Sequence, residues 1–207
     1  MRLLAGAVAL VALLLLASQL ILPGVVAGKI EDRLTAHGGT AHVEISAFPA
    51  VGLLFDRGDR IEVRGSGVRL DLRGQPRDAL DRLDGFGDVD VRLDRLTAGP
   101  LEHGRLGLSR SGGRDSAFGL TVSGEVTPAG LARYAGRELG GPLGGLVGDL
   151  AGGVLPFGDE QLPVNLDAAL VRARDGGVRI TDGGGSVAGV PLGPLAELIV
   201  EALAARL

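Results

Sequence analysis

The residues that most often carry chemistry are few in this sequence and lie apart from one another. The three histidines, His37, His42 and His103, are isolated, and none stands in H-E-x-x-H or a comparable spacing of metal ligands. Ser66 and Ser186 each follow a glycine, but neither completes the G-x-S-x-G turn that presents a nucleophilic serine. The sequence therefore predicts no catalytic centre and no metal site.

A second candidate for chemistry is the acidic pair Asp88 and Asp90, which has the D-x-D spacing of some divalent-cation sites. The two aspartates alternate with Val89 and Val91, however, and this alternation is typical of the polar face of a strand. A solvated face is therefore the favoured interpretation. An enzyme would need acidic, histidine or serine side chains to converge in a pocket, for example His103 with Asp88 or Asp90.

The composition excludes several classes of protein. The chain has no cysteine, so it has neither a disulfide framework nor a cysteinyl zinc site. Its one lysine, Lys29, belongs to no phosphate-binding loop. The net charge of −4 gives no basic surface for nucleic acid, and 45% hydrophobic residues are too many for a disordered chain. We expect no cofactor and no nucleic-acid partner.

The N-terminus predicts where the protein resides. After Met1 and Arg2 comes Leu3–Leu22, a run of twenty residues whose polar members are Ser18 and Gln19 alone. One positive charge before a run of this length is typical of a signal anchor or a signal peptide, and a buried helix is the remaining alternative. We therefore predict a membrane-targeting segment at residues 1–27. One domain, residues 28–207, would lie on the outer side of the cytoplasmic membrane, or in the periplasm if the signal is cleaved.

Beyond His42, apolar residues recur at every second position, the period of a strand with one buried face. The alternation favours an antiparallel sheet that exposes its polar face to water. The apolar parity changes across Gly65–Gly67, which predicts a β-bulge or a sharp bend there. The predicted strand segments are residues 43–45, 61–63, 68–72, 89–93, 106–108, 118–122, 162–168 and 178–180.

Helices are predicted beside the sheet, so the fold class is α+β. The apolar stripe Val25, Val26, Ile30 and Leu34 extends the N-terminal helix to His37–Gly39. Thr127 followed by proline predicts a helix start. A closing amphipathic helix from about residue 194 has an apolar face made of Leu195, Leu198, Ile199, Ala202 and Leu203.

The segment from Glu138 to Asp159 is apolar and rich in glycine, with Asp149 as its single internal charge. Flexibility combined with apolar character predicts a mobile lid or a flap that touches the membrane. A short helix and loop packed on the sheet is the alternative. The apolar side chains at issue are Leu143, Leu146, Val147, Leu150 and Phe157.

A curved sheet around a helix can enclose an apolar groove, and the small side chains of this sequence leave volume for a ligand. For a groove beside a membrane the best candidate ligand is an acyl chain, since each buried methylene contributes about 0.8 kcal/mol to the binding free energy. The alternative is a groove that is packed shut. One wall or lip would consist of Phe48, Pro49, Val51, Leu53, Leu54 and Phe55.

Several segments together resemble the LmeA-like phospholipid-binding proteins of actinobacterial cell envelopes. The N-terminal apolar helix is followed by Val43–Ser46, the Phe48-Pro49 segment and Asp59–Val63, and the later Leu162-Pro163 and Gly177–Gly184 also match. The resemblance covers most of residues 25–190. It implies a lipid-binding domain outside the cytoplasmic membrane, with a long curved sheet around amphipathic helices, as in tubular lipid-binding folds.

These observations favour a membrane-anchored protein that binds or handles phospholipid without enzymatic activity. Arg57, Arg60 or Arg64 would steer an anionic headgroup, while the closing helix would seal the domain or contact the membrane. The alternative is a structural envelope module that binds protein partners and no lipid. The sequence identifies neither the lipid nor any protein partner.

Overall fold

The protein has an α+β fold dominated by one large open sheet. The computed structural model describes residues 2–70, 82–127, 129–130, 160–172 and 178–191, and in the first helix it describes side chains from Ser18 onward. The elements are helix α1 (Arg2–Thr35), a 3₁₀ helix (Ala50–Phe55) and strands β1 (Thr40–Ser46), β2 (Gly58–Ser66), β3 (Arg69–Leu70), β4 (Phe86–Ala98), β5 (Leu101–Arg110), β6 (Phe118–Val126), β7 (Leu162–Arg172), β8 (Val178–Val187) and β9 (Val190–Pro191).

Helix α1 packs its C-terminal half on the sheet. Val26, Ala27, Ile30 and Leu34 contact the hydrophobic core, as the predicted stripe requires. Val25 does not, because it is about half exposed, and its place in that stripe was predicted wrongly. The helix continues without a break through the predicted domain boundary at residues 27 and 28 and ends within two residues of His37.

No helix in the described part of the chain is both long enough and apolar enough to cross a membrane. The anchor predicted over residues 3–22 gains no support from that finding, and it stays a prediction from the sequence.

Most strands of the sheet are antiparallel, as the alternating pattern predicts. The order is β1-β2-β4-β5-β6-β7-β8-β9, with β3 paired to β4 beside β2. The pairs β2–β4 and β3–β4 are parallel, and this departs from the fully antiparallel sheet predicted above. Two strands that are parallel neighbours cannot be joined by a hairpin turn and need a longer crossover connection.

The change of apolar parity between β2 and β3 is a bend, as predicted. Gly67 has a φ of +68°, a left-handed conformation that glycine adopts without strain. Val63 before the bend and Val68 after it are both buried. The bend therefore keeps the same face of the chain inward.

The hairpins place apolar residues opposite one another. Leu106 pairs with Val122 and Leu108 with Leu120 across β5 and β6. Register shifts interrupt β4–β5, β5–β6 and β7–β8. Such bulges bend the strand that carries them and increase its twist.

One face of the sheet carries the core. The described core residues span α1 and strands β1 to β7, and the alternation of buried and exposed positions along β6 and β7 follows the predicted faces. The buried apolar side chains are Ala27, Val43, Ala47, Leu53, Ile61, Val63, Val68, Phe86, Val89, Leu93, Leu96, Ala98, Leu108, Phe118, Leu120, Val126, Leu162, Val164, Leu166, Ala168 and Leu170.

Two side-chain hydrogen bonds fix the ends of helices. The Val43 N–H on edge strand β1 donates to Glu31 Oε1 of α1 at 2.6 Å, which ties the helix to the sheet edge. The Gly130 N–H donates to Thr127 Oγ1 at 3.0 Å, the bond that an N-cap threonine makes. This bond agrees with the helix start predicted at Thr127, and the body of that predicted helix lies outside the described residues.

Candidate functional site

The loop between β1 and β2, residues 47–57, contains the predicted wall of the groove, and we call it the tip loop. Its 3₁₀ helix has three residues per turn, so Ala50 and Leu53 share one side. Both are buried, together with Ala47. These three small or aliphatic side chains hold the loop against the rest of the domain.

Polar contacts fasten the start of the tip loop to two other elements. The Phe48 N–H donates to Asp59 Oδ2 at 2.7 Å, which links the loop to β2. The Gln19 amide, in the orientation that satisfies both neighbours, donates to the Ala47 carbonyl at 3.1 Å and accepts from the Ala50 N–H at 2.9 Å. The loop is thus held by helix α1 on one side and the sheet on the other.

The end of the tip loop is closed by backbone bonds. The Asp56 N–H donates to the Leu53 carbonyl at 3.3 Å, and the Arg57 N–H donates to the Gly52 carbonyl at 3.0 Å. A Cβ on Gly52 would lie 3.0 Å from the Arg57 carbonyl oxygen, so glycine suits this close approach. The loop therefore has a fixed conformation.

This fixed loop presents large apolar side chains to solvent. Phe48 is 83% exposed, Leu54 63% and Phe55 73%. Leu20 at 85% and Ile21 at 61% lie on α1 directly after Gln19, which contacts the loop. Single exposed apolar residues are common, but several on one fastened loop make the tip loop the candidate interaction surface of the described residues.

The predicted wall residues divide between the core and the surface. Phe48, Pro49, Leu54 and Phe55 are exposed, and Val51 is half-buried. Leu53 is buried in the core and anchors the loop. Four of the six predicted residues are therefore exposed on the tip loop.

The sequence did not identify Arg110, a buried arginine that holds the turn on which the tip loop packs. Arg110 is 3% exposed; its guanidinium donates to Asp84 Oδ1 at 2.7 Å, to the Leu83 carbonyl at 3.1 Å, to the Asp84 carbonyl at 3.0 Å and to the Phe86 carbonyl. It also lies over the Phe118 ring, 4.2 Å from the centroid. These contacts hold the turn before β4.

That turn touches the tip loop directly. At the first residue of β2, directly after the loop, the Gly58 N–H donates to the Gly85 carbonyl at 3.2 Å. A Cβ on Gly85 would lie 1.6 Å from the Asp56 carbonyl oxygen, so the two segments approach too closely for any other residue. Arg110 therefore positions the tip loop through the turn at residues 82–85.

The arginines predicted to steer a headgroup differ in their surroundings. Arg60 pairs with Glu62 at 3.1 Å, and Arg64 pairs with the same carboxylate. These two side chains are held on the outer face of β2. Arg57 is exposed at the end of the tip loop, and it is the member of the three best placed to meet a ligand there.

The candidate catalytic residues do not converge. His42 lies 3.3 Å from both Glu31 and Glu44, and His103 lies 3.8 Å from Glu125. Asp90 lies opposite Ser109 of β5, and Ser109 is six residues along that strand from His103. At the rise of a strand this places Asp90 and His103 about 20 Å apart. Within the residues described, no three histidine or acidic side chains are grouped to hold a metal ion.

The predicted lid and closing helix lie outside the described residues. This applies to Leu143, Leu146, Val147, Leu150 and Phe157 and to Leu195, Leu198, Ile199, Ala202 and Leu203.

Comparison of the chain with family models, with curated proteins and with solved structures gave no match in any of the three.

Proposed function

We propose that this protein binds or handles phospholipid without enzymatic activity, on the outer side of the cytoplasmic membrane. The N-terminal helix anchors it there, as the resemblance to the LmeA-like family implies. An acyl chain lies in an apolar groove along the inner face of the curved sheet, and the tip loop forms its lip.

The observation that carries this proposal is the exposure of Phe48, Leu54 and Phe55 on a fastened loop. The contacts of Gln19 and Asp59 prevent the loop from folding these side chains inward. Their exposure costs about 1.5–3 kcal/mol per side chain relative to burial. A lipid ligand removes this cost, because acyl chains cover apolar surface without any directional partner.

The sheet supplies a second line of support. Bulges in the β4–β5, β5–β6 and β7–β8 pairs favour a curved sheet, and its inner face carries aliphatic side chains. Ala168, at the middle of β7, leaves less of that face filled than a leucine would. Aliphatic walls and a bent sheet suit an acyl chain.

The experiment is native mass spectrometry of the full chain, released from membrane without added lipid, with identification of any retained phospholipid after solvent extraction. Ala168→Leu fills the inner face, and Ala169→Leu adds the same volume to the outer face as a matched control. We expect a discrete lipid adduct in the wild type and in Ala169→Leu, and its loss in Ala168→Leu.

Thermal unfolding of the same variants separates an open groove from a filled one. A leucine that enters an open groove leaves the melting temperature close to the wild-type value. A leucine forced into a packed core costs about 1–3 kcal/mol and lowers it. A wild type that carries no lipid and takes up none from vesicles refutes the proposal and favours a scaffold that binds protein partners.

A further inference from the structure

We infer that the tip loop docks into the surface of the phospholipid bilayer, with Phe48, Leu54 and Phe55 inserted beside the N-terminal helix. This inference rests on the membrane location in the proposed function and adds the surface by which the domain meets the lipid. The sheet would then stand end-on to the membrane, with β1 and β2 joined at the membrane side.

The position of the loop along α1 is the first step. Twenty residues of helix, Leu3–Leu22, rise about 30 Å, the thickness of the hydrocarbon core of a bilayer. Gln19, which bonds to Ala47 and Ala50, lies in the last turn of this run. A helix that spans the membrane with Leu3–Leu22 therefore places the tip loop at the boundary between hydrocarbon and headgroups.

The chemistry of the loop suits that boundary. Its exposed large apolar side chains are two phenylalanines and a leucine, and Leu20 and Ile21 add exposed apolar side chains on the adjacent turn of α1. Charged Asp56 and Arg57 follow immediately and are exposed, so the apolar part has a polar base. This order matches the change from acyl chains to headgroups at a membrane surface, where arginine side chains reach the polar layer.

The rigidity of the loop favours insertion without reordering. Buried Ala47, Ala50 and Leu53 and the bonds from Gln19 and Asp59 already fix its conformation. A preorganised surface loses little conformational entropy on binding. A protein partner could also cover this surface. The bilayer is the better candidate, because the apolar helix that contacts the loop would already lie in the bilayer.

The chain has no cysteine, so a single introduced cysteine can be labelled selectively. We would label Leu54→Cys in the full chain with an environment-sensitive fluorophore and reconstitute it into phosphatidylcholine and phosphatidylglycerol vesicles. Thr97→Cys is the matched control, because Thr97 is exposed near the other end of β4, eleven residues from Phe86 and about 35 Å along the strand.

We expect the Leu54 label to emit at shorter wavelength than the Thr97 label and to be quenched by lipids that carry a spin label just below the headgroup. Phe55→Cys, labelled in the same way, should behave like Leu54→Cys and guards against a local effect of one substitution. Labels at both loop positions that are as accessible to water-soluble quencher as the Thr97 label overturn the docking.

Fluorescence and mass spectrometry test separate statements. A chain that carries a lipid adduct while its loop labels stay in water refutes the docking alone. A chain that carries no adduct while its loop labels are quenched by spin-labelled lipid refutes the groove and supports the docking.

Discussion

Replacement of Arg110 by methionine should destabilise the fold more than any other change of a charged residue in the described sheet. Methionine keeps much of the apolar stem of Arg110 but removes its guanidinium group. The Arg110 side chain is 1% exposed. Asp84 Oδ1 then loses the arginine N–H at 2.7 Å, and the Phe86 carbonyl loses the hydrogen bond from the same guanidinium. Both acceptors stay at least partly shielded from water, so solvent replaces these bonds only incompletely.

The expected loss is about 3 kcal/mol. Removal of one partner from a buried ion pair costs about 3–5 kcal/mol, and Asp84, a quarter exposed, places this pair at the lower end. The stacking of Arg110 over Phe118 contributes about 0.5–1 kcal/mol of the loss.

Urea unfolding of the full chain in detergent, followed by circular dichroism of the sheet, measures this loss. With a slope of about 2 kcal/mol per molar urea, the midpoint should fall by about 1.5 M. Arg92→Met is the matched control, because Arg92 pairs with Asp90 at 2.8 Å on the exposed face and should cost less than about 1 kcal/mol. Equal midpoints for Arg110→Met and Arg92→Met would refute the structural role given to Arg110.

Three further changes test the packing around the candidate site. Gly85→Ala should prevent stable folding or displace the tip loop, because its Cβ would meet the Asp56 carbonyl oxygen at 1.6 Å; a wild-type melting temperature contradicts this. Glu31→Ala should speed hydrogen exchange at the Val43 amide, whose acceptor it removes, and unchanged exchange would show that the bond is unimportant. Leu96→Ala, at 1% exposed, should cost about 2–5 kcal/mol in urea unfolding, and a loss below about 1 kcal/mol would contradict its place in the core.

Periodicity in the sequence predicted most of the sheet because each strand has one buried face. The alternation of Val89, Val91 and Leu93 recurs in β4, and the parity change before Val68 is a real bend. These features depend on neighbouring residues alone. Local sequence therefore contains enough information to predict them.

The parallel pairing of β2 with β4 could not be predicted in the same way. Ile61 and Val63 alternate with polar residues as they would in an antiparallel strand, and the pairing of Ile61 with Val89 joins residues distant in the sequence, which no local pattern encodes. Arg110 was missed for a related reason. The acceptors Leu83, Asp84 and Phe86 lie 24 to 27 residues away from it, and no local pattern around Arg110 predicts that its side chain is buried.

The sequence predicted that the tip loop is apolar, but it did not predict which side chains of the loop are buried and which are exposed. A strand or an α-helix would have distributed Leu53, Leu54 and Phe55 differently between core and surface. The 3₁₀ helix, with three residues per turn, directs Leu53 inward with Ala50 and leaves its two successors exposed. The type of helix therefore decides which of these residues can contact a ligand.

The parallel pairing has a consequence for the order of folding. Strands β4, β5 and β6 follow one another through short turns, so their contacts are local and form early. The β1–β2 hairpin leaves the ribosome first, yet its sheet neighbour β4 begins twenty residues after β2 ends, at Phe86. Closure of that longer connection costs more loop entropy than the short turns of β4–β5 and β5–β6, and we expect the N-terminal unit to join β4 after strands β4 to β6 have paired.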